Sequence, residues 1–245
     1  MHENSHHIAF QKFAAVCSLL GAITTALLIF LPNPEAADFE SSVQLHQNTL
    51  YLSKLWILFI HPQVNIIASF GIALILFRKR ALYIIPGSFF LMVWAYTEMS
   101  QQALLIDGLN QFWRPGFLSA EDESAKAIFS TLITGASGIS DSKYFLVIYG
   151  FGVGSFLFGL ALISELALGK WIGVALIFIG VLSFASFLRY YMGITFLSPI
   201  VNWCYVWIYP YLQPLVRIAI GVWLFNHALD LSRQNQLNKK QVECN

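Results

Sequence analysis

Residues 64 to 105 read VNIIASFGIALILFRKRALYIIPGSFFLMVWAYTEMSQQALL. Two apolar runs are separated by nothing but Arg78, Lys79 and Arg80. A helix needs about 20 apolar residues to cross about 30 Å of hydrocarbon, and each run, traced to its end, is long enough. Three adjacent cations belong in water, so they mark a turn at the membrane surface. The segments on either side are read as consecutive membrane helices.

The rest of the chain agrees. Of its 245 residues 57% are hydrophobic and only 11% charged, whereas a soluble domain carries roughly 25% charged residues. Comparable runs cover about 13–31, 52–77, 81–105, 144–163, 171–191 and 199–231. Lipid offers no partners for free backbone groups, and the runs are too long and uniform for barrel strands. The expected fold is all-α: one domain over 1–245, a polytopic bundle of six transmembrane helices, with residues 232–245 forming a disordered cytoplasmic tail.

Basic residues orient the bundle. One side would hold Lys12, Arg78, Lys79, Arg80, Lys170, Arg233, Lys239 and Lys240; the other would hold Lys54, Arg114, Lys126 and Lys143 among many acids. Both termini are therefore expected in the cytoplasm of a multi-pass cell-membrane protein, in keeping with a bacterial inner membrane, with loops 32–51 and 106–143 outside. The first run is longer than the 7 to 15 apolar residues of a cleaved leader, so it reads as an anchor. In the second outer loop, AEDESAKAIFSTLITG after Ser119 predicts a short amphipathic helix with Ser119 and Asp122 at its start and Gly135 as its stop.

Polar residues inside the runs are the candidates for function. Counted from the expected inner ends, Glu98, Arg189, Arg217 and His61 lie at one depth toward the outer face and come from four different spans. An isolated charge there costs about 2.5 to 3.5 kcal/mol on insertion scales, so such groups turn inward and pair. Glu98 shares a helix face with Gln101 and Gln102, His61 with Asn65, and Arg217 with Gln213. These eight residues predict an outward-facing polar pocket suited to an anionic or carbonyl-rich group. A structural Glu98–Arg189 ion pair is the plainer alternative, and His61 before Pro62 is read as satisfying a carbonyl freed by the proline. Prolines 210 and 214 should bend or interrupt the last span.

Several motifs are set aside. GASG at 135–138 lacks the context of a membrane serine protease. The glycines of YGFGVGSFLFGLAL, at 149–162, follow no strand and have instead the spacing of small residues that let membrane helices approach. The histidines predict no haem and no metal centre, since His61 and His227 lie at different depths, and no cofactor is expected. Cys17, Cys204 and Cys244 show no disulfide framework. A net charge of +1 gives no reason to expect nucleic acid as a partner.

FGIALILFRKR closing the second span, the acid on the third, and GFGVGSFLFGLALIS opening the second half resemble a bacterial family of six-helix integral membrane proteins of unknown function, over about residues 8–231. The resemblance implies the topology and brings no activity with it. Three function classes follow: a protein binding a lipid headgroup or small anionic or amphipathic ligand, alone or as a subunit of a homo-oligomer or membrane complex; a small-solute transporter or channel working as an oligomer; and a membrane-embedded enzyme using Glu98.

Overall fold

The computed structural model describes the backbone of residues 2–243 and the side chains of residues 6–237. Cys244 and the side chain of His2 lie outside the described residues. Every described element is helical: α1 (His2–Phe30), α2 (Phe39–Gln44), α3 (Thr49–Ala103), α4 (Arg114–Ser119), α5 (Glu123–Leu162), α6 (Leu168–Tyr191), α7 (Ser198–Trp207) and α8 (Tyr209–Glu243). A π-helical stretch, Leu104–Trp113, joins α3 to α4. Among the described residues, five helices are long and apolar enough to cross a membrane.

One of the five is a hairpin. Arg80 leaves helical geometry (φ −138°, ψ 29°), and beyond it the chain runs back along itself. The rings of His61 and Trp94 meet at 6.1 Å, although 33 residues of straight helix would separate them by about 50 Å. The cationic triplet is thus the turn that the sequence indicates.

The arms are arranged by close approach. α5 packs along the second arm of α3 on one side and along α6 on the other. A Cβ at Gly150 would lie 2.8 Å from the carbonyl oxygen of Phe90, and one at Gly159 would lie 2.8 Å from that of Gly173. Gly152 and Gly180 face each other in the same way, about two turns nearer the start of α5. The small-residue reading of this stretch is therefore seen directly as backbone-to-backbone packing. On the other flank α1 packs against α8 and the first arm of α3. α8 meets α3 and α6 over much less length, so the ring of helices closes loosely on that side.

Three expectations give way, on the outer helix, its cap and the tail, while the expected interruption of the last run at its prolines is seen. The outer segment after Ser119 is no separate short helix: α5 runs unbroken from Glu123 through Gly135 and Gly138 into the membrane run. A glycine costs a helix only about 1 kcal/mol relative to alanine, and Ile133, Ala136 and Ser140, buried on one face, hold the helix through it. The cap is Asp122 rather than Ser119, its carboxylate accepting from the Ala125 amide at 2.7 Å and the Ser124 hydroxyl at 2.6 Å. The last run is interrupted before Pro210, at Ile208 (φ −108°, ψ −55°), which leaves α7 as a ten-residue piece, while Pro214 is carried within α8. Beyond 231 the chain stays helical to Glu243 instead of losing regular structure.

Together α2, the π-helical stretch, α4 and the first turns of α5 make a small cap beyond the membrane run. Val43, Leu109, Ile133 and Ala136 form its core, and the rings of Phe39 and Phe117 meet edge to face at 5.2 Å. Arg114 is buried there, over the Tyr51 ring and donating to Asn110 Oδ1 at 2.6 Å.

Candidate functional site

The loose side of the ring encloses a cavity of about 540 Å³. Its wall includes His61, Glu98, Arg189, Gln213 and Arg217, five of the eight residues singled out in the sequence. Asn65 bounds a smaller chamber of about 40 Å³ that adjoins it and shares Trp94, Phe151, Gln213 and Arg217 with it. That volume suits about two or three waters. Toward Arg78–Arg80 the interior is sealed by buried Ile72, Leu76, Ile84, Leu162, Ile172 and Leu224.

Gln101 and Gln102 stand elsewhere. The Gln101 amide donates to Ser140 Oγ (2.6 Å) and to the Ser140 carbonyl (3.1 Å), docking α3 on α5. Gln102 is buried with its Oε1 unpartnered among the described residues. Sharing a helix side with Glu98 was not enough: three residues on, Gln101 is rotated by about 60° and meets Ser140 of α5 instead.

A directed chain of hydrogen bonds crosses three helices beside the cavity. Arg217 Nη1 donates to Asn65 Oδ1. Asn65 Nδ2 donates to His61 Nε2 at 3.1 Å and to the His61 carbonyl at 2.7 Å. His61 Nδ1 is 2.9 Å from the Thr24 hydroxyl, which in turn donates to the Gly21 carbonyl at 3.0 Å. The Asn65 amide nitrogen also lies 3.3 Å from Nδ1, so it packs against both ring nitrogens. The ring therefore ties α3 to α1 through Thr24. Ser18 adds a bond to the Arg217 carbonyl at 2.7 Å, fixing α8 on α1.

The charged groups form a ladder, not a single layer. Arg217 reaches Asn65, 15 residues and about 22 Å from the turn at Arg80, whereas Glu98 is 18 residues from it. Arg189 is farther from that turn still: its helix neighbour Phe187 meets Phe145 edge to face, close to Lys143, whose ammonium bonds Ser100 beyond Glu98. Depth counted back from Leu231, about 21 Å, agrees with this place for Arg217. Glu98 and Arg189 are not an ion pair. Arg189 donates to Asn202 Oδ1 on α7, and the electrostatic neighbours of Glu98 are the Trp94 indole and Arg217. Among the described residues, the ion pairs closer than 4 Å are Lys126–Glu123 and Arg233–Asp230, both at the surface.

Sequence reasoning missed the tyrosines. Tyr144, Tyr205 and Tyr209 line the cavity, and Tyr209 accepts from Gln213 at 2.9 Å. Tyr205, Tyr209, Gln213 and Arg217 recur every four residues, a stripe that Pro210 and Pro214 obscured. Two guanidiniums face one carboxyl, an excess of one positive charge when His61 is neutral. Among the described residues Arg217 Nε is buried without a partner, a donor left over for a ligand. Such a wall can bind an anion through charge-assisted bonds and enclose its apolar remainder against rings and aliphatic chains. No group of three or more His, Cys, Asp or Glu comes together among the described residues. Comparison of the chain with protein-family models, with curated proteins and with solved structures returns no match.

Proposed function

We propose that this is an integral membrane protein that binds an anionic group, borne by a lipid headgroup or a small solute, in a pocket open toward the outer face. The five apolar helices, with α3 crossing twice about Arg80, then make six crossings and leave both termini in the cytoplasm. The cation distribution supports that orientation, with Arg78, Lys79 and Arg80 at the inner turn.

The observation that carries the reading is Arg217: a guanidinium in the wall of a 540 Å³ cavity, its Nη1 committed to Asn65 and its Nε unused. A lone buried donor is costly, by about 1 to 3 kcal/mol, and an anion would satisfy it. The test is the melting temperature of the purified protein in neutral detergent across phosphate, acetate and short-chain phosphatidylglycerol. At least one should raise it, and Arg217→Gln should abolish the rise. A melting temperature indifferent to all three would contradict the reading.

A transporter is the second reading, favoured by the break at Ile208. The helix is discontinuous where Tyr205 and Tyr209 enter the cavity wall, as at the sites of several transporter folds. Anion flux into proteoliposomes, lost in Arg217→Gln, would establish it over simple binding.

A further inference from the structure

We propose that the occupant is an anionic amphiphile of the membrane itself, its headgroup on Arg217 and its chain leaving sideways between α6 and α8 past α7. This rests on the anion site above and adds the class of ligand and its route. Three observations meet here.

The first is the seam. α6 touches α8 far less than it touches α5, and the gap is covered only by α7, ten residues and about 15 Å long. That is half the thickness of the hydrocarbon, so α7 cannot cross. It is held on α6 by the Arg189 bond to Asn202, by hydrogen bonds between Tyr205 and Ser183 and Ser186, and by buried Val201 and Cys204 against Leu182. The wall at this point is thus the shortest piece of the ring.

The second is where that piece sits. Tyr190 (72% exposed), Phe196 (80%), Trp203 (55%) and Trp207 (64%) turn outward around it. Clustered Trp and Tyr are the mark of the headgroup level of a bilayer. Arg189, Tyr190 and Tyr205 are also cavity-wall residues, so the rim of the cavity stands at the level where lipid headgroups lie, with one cation at the rim and another deeper.

The third is the composition of the wall. Besides the two arginines it presents Leu28, Ile29, Leu58 and Ile148. A small hydrated anion gains nothing from aliphatic surface, whereas a lipid uses both parts. A headgroup can pass from Arg189 to Arg217 without its chain leaving an apolar surrounding.

The experiment compares three probes on the full chain in neutral detergent: dioctanoyl phosphatidylglycerol, dioctanoyl phosphatidylcholine and glycerol 3-phosphate. Near 100 times its Kd the first should raise the melting temperature by roughly 5 to 10 °C, and the other two by less than a fifth of that. Arg217→Gln should remove the rise. Should that variant not fold, Arg189→Gln, at the rim, should weaken the apparent affinity by about tenfold. Glycerol 3-phosphate matching the lipid would overturn the lipid proposal and leave the anion site standing. Phosphatidylcholine matching phosphatidylglycerol, or no probe acting at all, would overturn both.

Discussion

Along α5 and around the cavity, two neighbouring seams of one bundle are closed by opposite means. Where α5 meets α6, glycine faces glycine at Gly159 with Gly173 and at Gly152 with Gly180, and the helices touch through their backbones. Where α8 should meet α3 and α6, the facing residues are Arg217, Gln213, Tyr209, Glu98 and Arg189, and the helices stand apart around 540 Å³. Small residues give the bundle its rigid half, since dispersion grows with contact and lipid competes poorly with a close backbone fit. Large polar residues keep the other half open, since each needs room for its partners. The contrast shows how a chain this apolar holds a polar chamber: one seam supplies stability, and the other is free to be shaped by chemistry.

The contrast breaks most visibly at the glycine seam. A Cβ at Gly159 would lie 2.7 Å from the amide nitrogen of Ile177, which no side-chain adjustment relieves. Gly159→Leu should cost about 3 kcal/mol or more, read as loss of the monodisperse folded peak on size exclusion in mild detergent. On the polar seam the largest structural effect should come from Asn65→Leu. It removes the acceptor of Arg217 and a donor to His61 at about 2 kcal/mol, a lower melting temperature in a protein that still folds.

A glycine elsewhere in α5 sharpens the comparison by reversing the sign. Nothing lies within 4 Å of a Cβ built at Gly135, so Gly135→Ala should stabilise by about 0.5 to 1 kcal/mol through helix propensity alone, seen as a small rise in melting temperature. Destabilisation there would mean that this part of α5 is not a helix in solution.

The smallest effect is at the start of the same helix. Hydrogen bonds from the Ser124 hydroxyl and the Ala125 amide hold the Asp122 carboxyl below the ordinary aspartate range. A group depressed in the folded state contributes fully above its unfolded pKa of about 3.9, and that contribution is lost as pH falls through the lower folded value. Amide protection over residues 123–127, corrected for the intrinsic exchange rate, should therefore be constant at neutral pH and fall, relative to the rest of α5, only below about pH 4.

The membrane runs and the turn at Arg78–Arg80 were legible because the bilayer imposes length and composition on any crossing segment. His61, Glu98, Arg189, Gln213 and Arg217 were legible because charge inside such a run has few uses. Outside the membrane that constraint vanishes. Whether Gly135 ends a helix, or whether Leu104–Trp113 winds as a π-helix, is decided by packing of Ile133, Ala136 and Leu109 in the cap, which local pattern does not reveal. Depth along the bundle was readable to within one turn for Glu98 and Arg217, because the turn at Arg80 gives the count a fixed origin. Which neighbour a polar side chain meets was least readable of all. Gln101 and Glu98 differ by three residues, yet one docks on Ser140 and the other lines the cavity.

The central claim is that these polar groups surround a chamber reached from the face opposite Arg78–Arg80. Labelling by a membrane-impermeant thiol reagent tests it most directly. With Cys17, Cys204 and Cys244 replaced by serine, Val147→Cys in the cavity wall should react from the outside of intact cells, whereas Leu76→Cys in the apolar seal should stay silent. Silence at Val147, or reaction only from the side of the Arg78–Arg80 turn, would contradict it.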